Sequence, residues 1–130
     1  MTSPRLMHAM LRVSDMERTL AFYCGVLGMT VQRVRDNPQS GHRNVFVGYG
    51  PFESSMQIEF VSDGSGARYE AGAGFGHIAI EVADVQGFCE QLRARGVAIV
   101  REPKLLPSGT VIAFIQDPDG YSVELVRPAA

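Results

Sequence analysis

The chain opens twice in the same way, first with Met7-His8-Ala9-Met10-Leu11-Arg12-Val13-Ser14-Asp15 and again with Gly76-His77-Ile78-Ala79-Ile80-Glu81-Val82-Ala83-Asp84. The two histidines align, as do the two aspartates. The copies also end alike, in Ile58-Glu59-Phe60-Val61 and Val123-Glu124-Leu125-Val126. This internal repeat predicts a duplicated fold, in which each half begins with a histidine and ends with a glutamate.

Each half has the pattern of one strand, one helix and three further strands. Strand-like alternation and turn signals predict strands at 5–13, 29–34, 45–49 and 56–61 in the first half, and at 75–82, 97–101, 110–116 and 121–127 in the second. Ser14 and Glu17 form a capping box that starts the first helix, and Asp84 caps the second. Gly28 and Gly96 end the two helices.

The predicted fold is α+β, with two βαβββ repeats in one domain, residues 1–130. The repeats cover about 5–61 and 75–127, and a linker rich in Gly, Ala and Ser joins them at 62–74. We expect the eight strands to form a curved sheet around a barrel-like cavity, with the helices outside.

Strand parity places four side chains on the predicted concave face: His8, Glu59, His77 and Glu124. A single histidine or glutamate on a strand is usually solvated or satisfied, but four at equivalent positions favour a divalent metal site. Two neutral imidazoles and two carboxylates balance the charge of a dication. They also leave two coordination positions of an octahedral metal open for a substrate with two adjacent oxygens. One carboxylate could then act as a base beside the metal.

Arg12 shares the inward face with His8. It could pair with an inward acid, Glu59 or Glu124, or anchor a substrate carboxylate, and we favour the second role. His42 has no counterpart in the other half and is predicted to lie in a surface loop.

Composition excludes several classes of protein. The chain has 130 residues, 45% of them hydrophobic, and a net charge of −2 without basic runs, which argues against nucleic-acid or membrane partners. Cys24 and Cys89 are predicted to be buried small hydrophobes rather than a disulfide. No secretory core precedes the first strand, so we expect a cytoplasmic protein.

The sequence resembles the glyoxalase I (lactoylglutathione lyase) family of the vicinal oxygen chelate superfamily. The resemblance runs through Met7 to Val13, Phe22-Tyr23, Val26 to Met29, Phe46 to Pro51, Gly76 to Ala79 and Val111 to Tyr121. It implies methylglyoxal detoxification, in which a metal-dependent lyase converts the methylglyoxal–glutathione hemithioacetal to S-D-lactoylglutathione. A proton would move between neighbouring carbons through a metal-stabilised enediolate.

The resemblance also implies roles for individual residues. The metal ligands would be His8, Glu59, His77 and Glu124, with Glu124 as the main base and Glu59 as a possible second. The resemblance further implies a homodimer whose active sites span the interface, in which His8 and Glu59 would come from one chain and His77 and Glu124 from the other. The loose linker permits such domain exchange.

Six-coordinate His₂Glu₂ suits Ni²⁺ or Co²⁺ better than Zn²⁺. A short connection between the halves resembles the nickel-activated branch of the family, and only 17 residues, Phe60 to Gly76, separate Glu59 from His77. The predicted cofactor is therefore nickel or cobalt.

Two departures concern the thiol. Asp63-Gly64-Ser65-Gly66 stands where relatives often have Asn-Trp-Gly, whose asparagine helps to hold glutathione. The loop with Pro107 and Ser108 lacks the usual lysine, and the nearest lysine is Lys104. An anionic tripeptide would lose one donor and meet one added negative charge, so we expect weaker glutathione binding.

Other members of the superfamily are alternatives. Extradiol dioxygenases and fosfomycin-type thiol transferases have a three-ligand His-His-Glu pattern, which does not require Glu59. Acyl-CoA epimerases tend to have glutamine among the ligands. A metal-free drug-binding protein of bleomycin-resistance type would lack these histidines and glutamates, so it fits least well.

Overall fold

The computed structural model describes residues 3–130, so Met1 and Thr2, the first two residues of the predicted domain, lie outside it. The chain divides after Tyr69 into two compact units. The division falls inside the segment predicted as a linker, 62–74. The single-domain organisation stays a prediction.

The first unit contains β1 (His8–Arg12), α1 (Met16–Leu20), a π-helical continuation (Ala21–Val26), β2 (Thr30–Asn37), β3 (His42–Gly48) and β4 (Gln57–Ser62). Its strand order is β1-β4-β3-β2. β1 runs parallel to β4, and the other neighbours are antiparallel.

The second unit contains β5 (Ile78–Glu81), α2 (Val85–Ala94), β6 (Ile99–Leu105), β7 (Val111–Gln116) and β8 (Ser122–Arg127). Its order is β5-β8-β7-β6, again with the first strand parallel to the last. The predicted α+β class and the two βαβββ repeats are confirmed.

The eight strands do not form one sheet that closes into a barrel. They form two separate four-stranded sheets among the described residues. The expectation of a barrel-like eight-stranded sheet is therefore corrected. The reason is the pairing within each half, where the first strand adds to the edge of its own last strand.

The first helix begins one residue later than predicted. Asp15, with an extended backbone (φ −145°), is the N-cap, and its side chain accepts a hydrogen bond from the backbone N–H of Arg18. The predicted Ser14–Glu17 capping box is therefore wrong. The repeat itself contains the correct signal, because Asp15 aligns with Asp84, which caps α2 by accepting from the N–H of Gly87.

Each helix covers the apolar face of its own sheet. In the first unit Tyr23, fully buried, packs on Phe60 of β4 with ring centroids 4.7 Å apart. In the second unit the buried face of α2 presents Val85, Cys89 and Leu92. Glycines at positive φ follow both helices, Gly28 at 79° and Gly96 at 82°, which confirms the predicted helix ends.

His42 does not lie in a loop. It is the first residue of β3 and pairs with Asn37, the last residue of β2. The turn between them is held by the Asn37 side chain, which accepts from the N–H groups of Gln39 and Ser40. His42 is exposed, as predicted.

Both cysteines are free, as the sequence predicts. Cys89 is buried, whereas Cys24 is half-buried. Burial raises the pKa of each thiol, which keeps both side chains neutral and apolar in character. None of the described helices is long and apolar enough to cross a bilayer.

Candidate active site

The first unit brings His8 and Glu59 together. Nε2 of His8 lies 3.2 Å from Oε1 of Glu59, because β1 and β4 are adjacent and Met10 stands in register with Glu59. Phe46 of β3 is in register with Glu59 on the other side and meets the imidazole edge-on, at 5.2 Å between centroids. The aromatic ring therefore supports the orientation of the histidine.

The second unit repeats this arrangement. Nε2 of His77, one residue before β5, lies 3.3 Å from Oε1 of Glu124. Phe114 is in register with Glu124 and meets the imidazole edge-on at 5.4 Å. The sequence repeat thus extends to a three-residue cluster of histidine, glutamate and phenylalanine in each unit.

The strand parity predicted for the glutamates is seen in the burial of their neighbours. Ile58 and Phe60 flank Glu59 and are buried, and Val123 and Leu125 flank Glu124 in the same way. The carboxylates themselves are sheltered, at 13% and 16% exposure, while the imidazoles are more open, at 33% and 43%. A ligand could therefore approach each pair from the histidine side.

The donor geometry of each pair fits a metal ion. Two ligands bonded to one ion at about 2.1 Å and at right angles lie about 3.0 Å apart, which is close to the observed N–O separations. Within residues 3–130 no three His, Cys, Asp or Glu side chains gather closely enough to hold a metal. Each unit thus offers two donors, and the ligand roles of the four residues stay predictions.

One further contact distinguishes the two pairs. Nδ2 of Asn44 donates a hydrogen bond of 2.7 Å to Oε2 of Glu59. No local sequence signal marks Asn44, because its contact with Glu59 spans 15 residues and depends on the pairing of β3 with β4. The equivalent position in the second unit is Ile112, two residues before Phe114.

Three arginines that were not among the predicted site residues lie beside phenylalanine rings. The guanidinium of Arg33 lies 3.9 Å above the ring of Phe52, and that of Arg35 lies 5.9 Å from Phe46. Arg101 lies 5.4 Å from Phe114. Arg33 and Arg101 are repeat-equivalent, since each follows a bulge and pairs with the phenylalanine of its unit. The sequence signal was the matching position of these arginines on β2 and β6.

The predicted thiol-binding residues Arg12 and Asp63 lie at and just beyond the ends of two adjacent strands, β1 and β4. Arg12 is exposed at the end of β1, in register with Val61. Asp63 follows β4, and its Oδ1 accepts hydrogen bonds from the backbone N–H and the hydroxyl of Ser65. These bonds lower the pKa of Asp63, so the exposed side chain is a carboxylate at neutral pH.

The loop that lacks the family lysine is a tight turn. The N–H of Gly109 donates to the carbonyl of Leu106, and Pro107 and Ser108 lie between them. Lys104 stands on β6 in register with Ile112 and is exposed. It therefore belongs to the strand rather than to the loop.

A family model described as the Glyoxalase/Bleomycin resistance protein/Dioxygenase superfamily matches residues 5–125. The chain is 42% identical over 126 residues to a probable lactoylglutathione lyase of Synechocystis, with 96% of each chain covered. Among solved structures, the trypanothione-dependent glyoxalase I of Leishmania major aligns with a TM-score of 0.87 at 40% identity, covering 96% of this chain and 87% of that one.

Glyoxalase I from Zea mays aligns with a TM-score of 0.90 at 41% identity over 97% of this chain. The match covers only 45% of the maize chain. This chain therefore spans about half the length of that plant relative, whereas the match covers 96% of the Synechocystis protein.

Proposed function

The chain belongs to the Glyoxalase/Bleomycin resistance protein/Dioxygenase superfamily, and within it to the lactoylglutathione lyases, and we propose that it isomerises the hemithioacetal of methylglyoxal and glutathione to S-D-lactoylglutathione. The observation that carries the proposal is the repeated histidine–glutamate pair. A lyase of this family requires a divalent metal, and the two pairs, if brought together, would supply a His₂Glu₂ donor set.

His8, Glu59, His77 and Glu124 would hold the metal. When bound, it would act as a Lewis acid on the two adjacent oxygens of the substrate. The four donors leave two positions open in an octahedral shell, which suits Ni²⁺ or Co²⁺ better than the closed tetrahedron of structural Zn²⁺.

Glu124 would transfer the proton. Its side chain is sheltered, at 16% exposure, and so is that of Glu59, at 13%. Shelter from water suits either carboxylate to act as a base, and the resemblance to the family favours Glu124. It would take the proton from one carbon and return it to the neighbouring carbon. Glu59 would be the second candidate for this role.

The two pairs would combine in a homodimer, His8 and Glu59 from one chain with His77 and Glu124 from its partner. Each unit by itself has two donors, which is too few to hold a metal ion firmly. Three large apolar side chains around His8 are strongly exposed: Leu6 at 75%, Met7 at 48% and Met10 at 42%. Exposed methionines and leucines clustered in this way favour an interface.

The thiol half of the substrate would be held by Arg12, with Arg33, Arg35 and Arg101 as further cations near the two pairs. Stacking on an aromatic ring fixes a guanidinium plane and leaves its N–H groups available to a carboxylate. Asp63 carries a negative charge where relatives often have asparagine. We therefore propose that glutathione is used, with a weaker KM than in relatives that keep the asparagine. A cytoplasmic location stays a prediction.

The test is an assay of purified protein, stripped of metal and reloaded with single metals, using methylglyoxal and several thiols. We expect S-D-lactoylglutathione with glutathione, detected by thioester absorbance and by chiral analysis of the lactate obtained when the thioester is hydrolysed. If no thioester forms with any of the thiols and metals, the assignment as a lyase is refuted. Another enzyme activity of the superfamily would then be the better assignment.

A further inference from the structure

The two glutamates have unequal surroundings, and we propose that Asn44 is the positioning residue that assigns them different tasks. Asn44 holds Glu59 as a fixed ligand, and the lack of such an amide leaves Glu124 able to reorient toward the substrate. This inference rests on the proposed function, because it assigns parts within the same site.

The geometry of Asn44 restrains Glu59 at both oxygens. Oε1 of Glu59 faces Nε2 of His8 at 3.2 Å, while Oε2 accepts from Nδ2 of Asn44 at 2.7 Å. Asn44 is partly buried on β3, which fixes its amide relative to β4. A short hydrogen bond to a carboxylate is charge-assisted and therefore strong. Rotation of the Glu59 carboxylate would break one contact or the other.

In the second unit, the residues equivalent to His8 and Asn44 restrain only one oxygen of Glu124. Oε1 faces Nε2 of His77 at 3.3 Å, but Ile112 stands at the position that corresponds to Asn44. An isoleucine side chain has no hydrogen-bond donor. The histidine, the phenylalanine and the glutamate match between the units, whereas the residue at the equivalent positions 44 and 112 differs in its ability to donate a hydrogen bond to the glutamate.

This difference has a chemical consequence. A residue that orients a metal-binding carboxylate raises the affinity of the site, whereas a base that exchanges protons with two carbons must be able to move between them. Because Asn44 orients Glu59, it favours metal binding by that carboxylate. Because Ile112 cannot hold Glu124 in this way, Glu124 is free to transfer the proton.

The test compares Asn44→Leu, which keeps the branched shape of the side chain but removes the donor, with Ile112→Asn, which introduces a donor beside Glu124. Metal affinity is measured by competition titration with a chromogenic chelator, without substrate. We expect Asn44→Leu to weaken metal binding by about tenfold to hundredfold. Ile112→Asn should not weaken it, and should lower kcat instead.

A double-mutant cycle separates positioning from a merely structural effect. Glu124→Gln alone should lose most of its turnover, while Asn44→Leu with Glu124→Gln should turn over faster than Glu124→Gln alone, since the released Glu59 can then act as the base. A double variant no faster than the single variant would overturn the proposal, as would an unchanged metal affinity in Asn44→Leu.

The outcomes also separate this proposal from the proposed function. If the wild-type protein has no lyase activity, the lyase assignment fails, and the metal titrations of Asn44→Leu and Ile112→Asn still decide whether Asn44 positions Glu59. If Asn44→Leu does not fold, Ile112→Asn carries the test alone, and an unchanged kcat there would refute it.

Discussion

The imidazole of His77 lies against the carboxylate of Glu124, with Nε2 3.3 Å from Oε1. The histidine is 43% exposed and the glutamate 16%. One partner is thus accessible to a ligand, while the other is sheltered by the buried strand that carries it. The two members of the pair should therefore respond differently to substitution.

Glu124→Gln should retain metal but lose turnover. The amide keeps an oxygen ligand and the shape of the side chain, yet it cannot accept the substrate proton, so kcat should fall by about 10² or more. His77→Ala would remove one of the four predicted ligands, so it should lower the metal content itself. Metal analysis and steady-state kinetics of both variants test this. A Glu124→Gln enzyme with near wild-type kcat would show that another residue is the main base.

Mixing two inactive variants should restore activity if the site is shared between chains. His8→Ala damages the first pair and His77→Ala the second. A heterodimer of the two would keep one intact site, made of the undamaged pair from each chain. Random exchange should then return about a quarter of the wild-type activity.

The matched control mixes His8→Ala with Glu59→Ala. Both substitutions damage the first pair, so no combination of these chains contains an intact site. Recovery in the first mixture alone supports sites that span the interface. Equal failure of both mixtures, with subunit exchange verified by mass spectrometry, would indicate that each site is built within one chain.

Metal preference follows from the donor set. Stripped protein should regain activity with Ni²⁺ or Co²⁺ and regain little with Zn²⁺, because four donors with two open positions suit an octahedral ion. The Co²⁺ form provides an independent readout, since its visible absorption is weak when it is six-coordinate and strong when it is tetrahedral. Full activity with Zn²⁺ and none with Ni²⁺ would contradict the prediction.

The sequence repeat was sufficient to predict the order of strands and helix along each half. It also predicted that the histidine and the glutamate of each half lie on the same face. Period-two alternation decides which face a side chain takes, so Glu59 and Glu124 could be assigned to one face before any contact was known. Flanking apolar residues such as Phe60 and Leu125 made that parity clear.

Other features could not be predicted because they depend on non-local register or on competing local signals. The contact of Asn44 with Glu59 exists only when β3 pairs with β4 in one register, and no local motif marks it. At the first helix, Ser14 and Asp15 both offered capping chemistry, and the extended backbone at Asp15 decided between them. The closure of a barrel likewise depends on pairing between halves.

Gly48→Ala should destabilise the first unit. A Cβ at this position would lie 2.6 Å from Oε1 of Gln57, a residue that is only 1% exposed. Gln57 cannot move freely, because its Nε2 donates to the carbonyls of Ser55 and Gly50. Overpacking of this kind costs about 1–3 kcal/mol.

Gly25→Ala is the matched control, since nothing lies within 4 Å of a Cβ there. It should leave stability unchanged or raise it slightly by restricting the unfolded chain. Urea unfolding followed by circular dichroism compares the two variants with wild type. Equal midpoints for Gly48→Ala and Gly25→Ala would mean that Gln57 adapts without cost.

The last prediction concerns the thiol. Arg12→Ala should raise KM for the glutathione hemithioacetal by about tenfold and change kcat less, because a contact remote from the transferred proton contributes uniform binding. Charge-assisted contacts contribute about 1.5–3 kcal/mol to binding. Because Arg12 is exposed, we expect its contribution to lie at the lower end of this range. Lys104→Ala, an exposed cation on β6, is the matched control for the loss of one positive charge.

Asp63→Asn should act in the opposite direction. Its amide oxygen can still accept from the N–H of Ser65, so the turn is kept while the negative charge is removed. We expect a smaller fall in KM, roughly twofold to threefold, that shrinks as salt is added because exposed charges are screened. The comparison uses wild type and all three variants at fixed ionic strength. If neither Arg12→Ala nor Asp63→Asn moves KM, the thiol does not lie near these residues, and a different thiol becomes the better assignment.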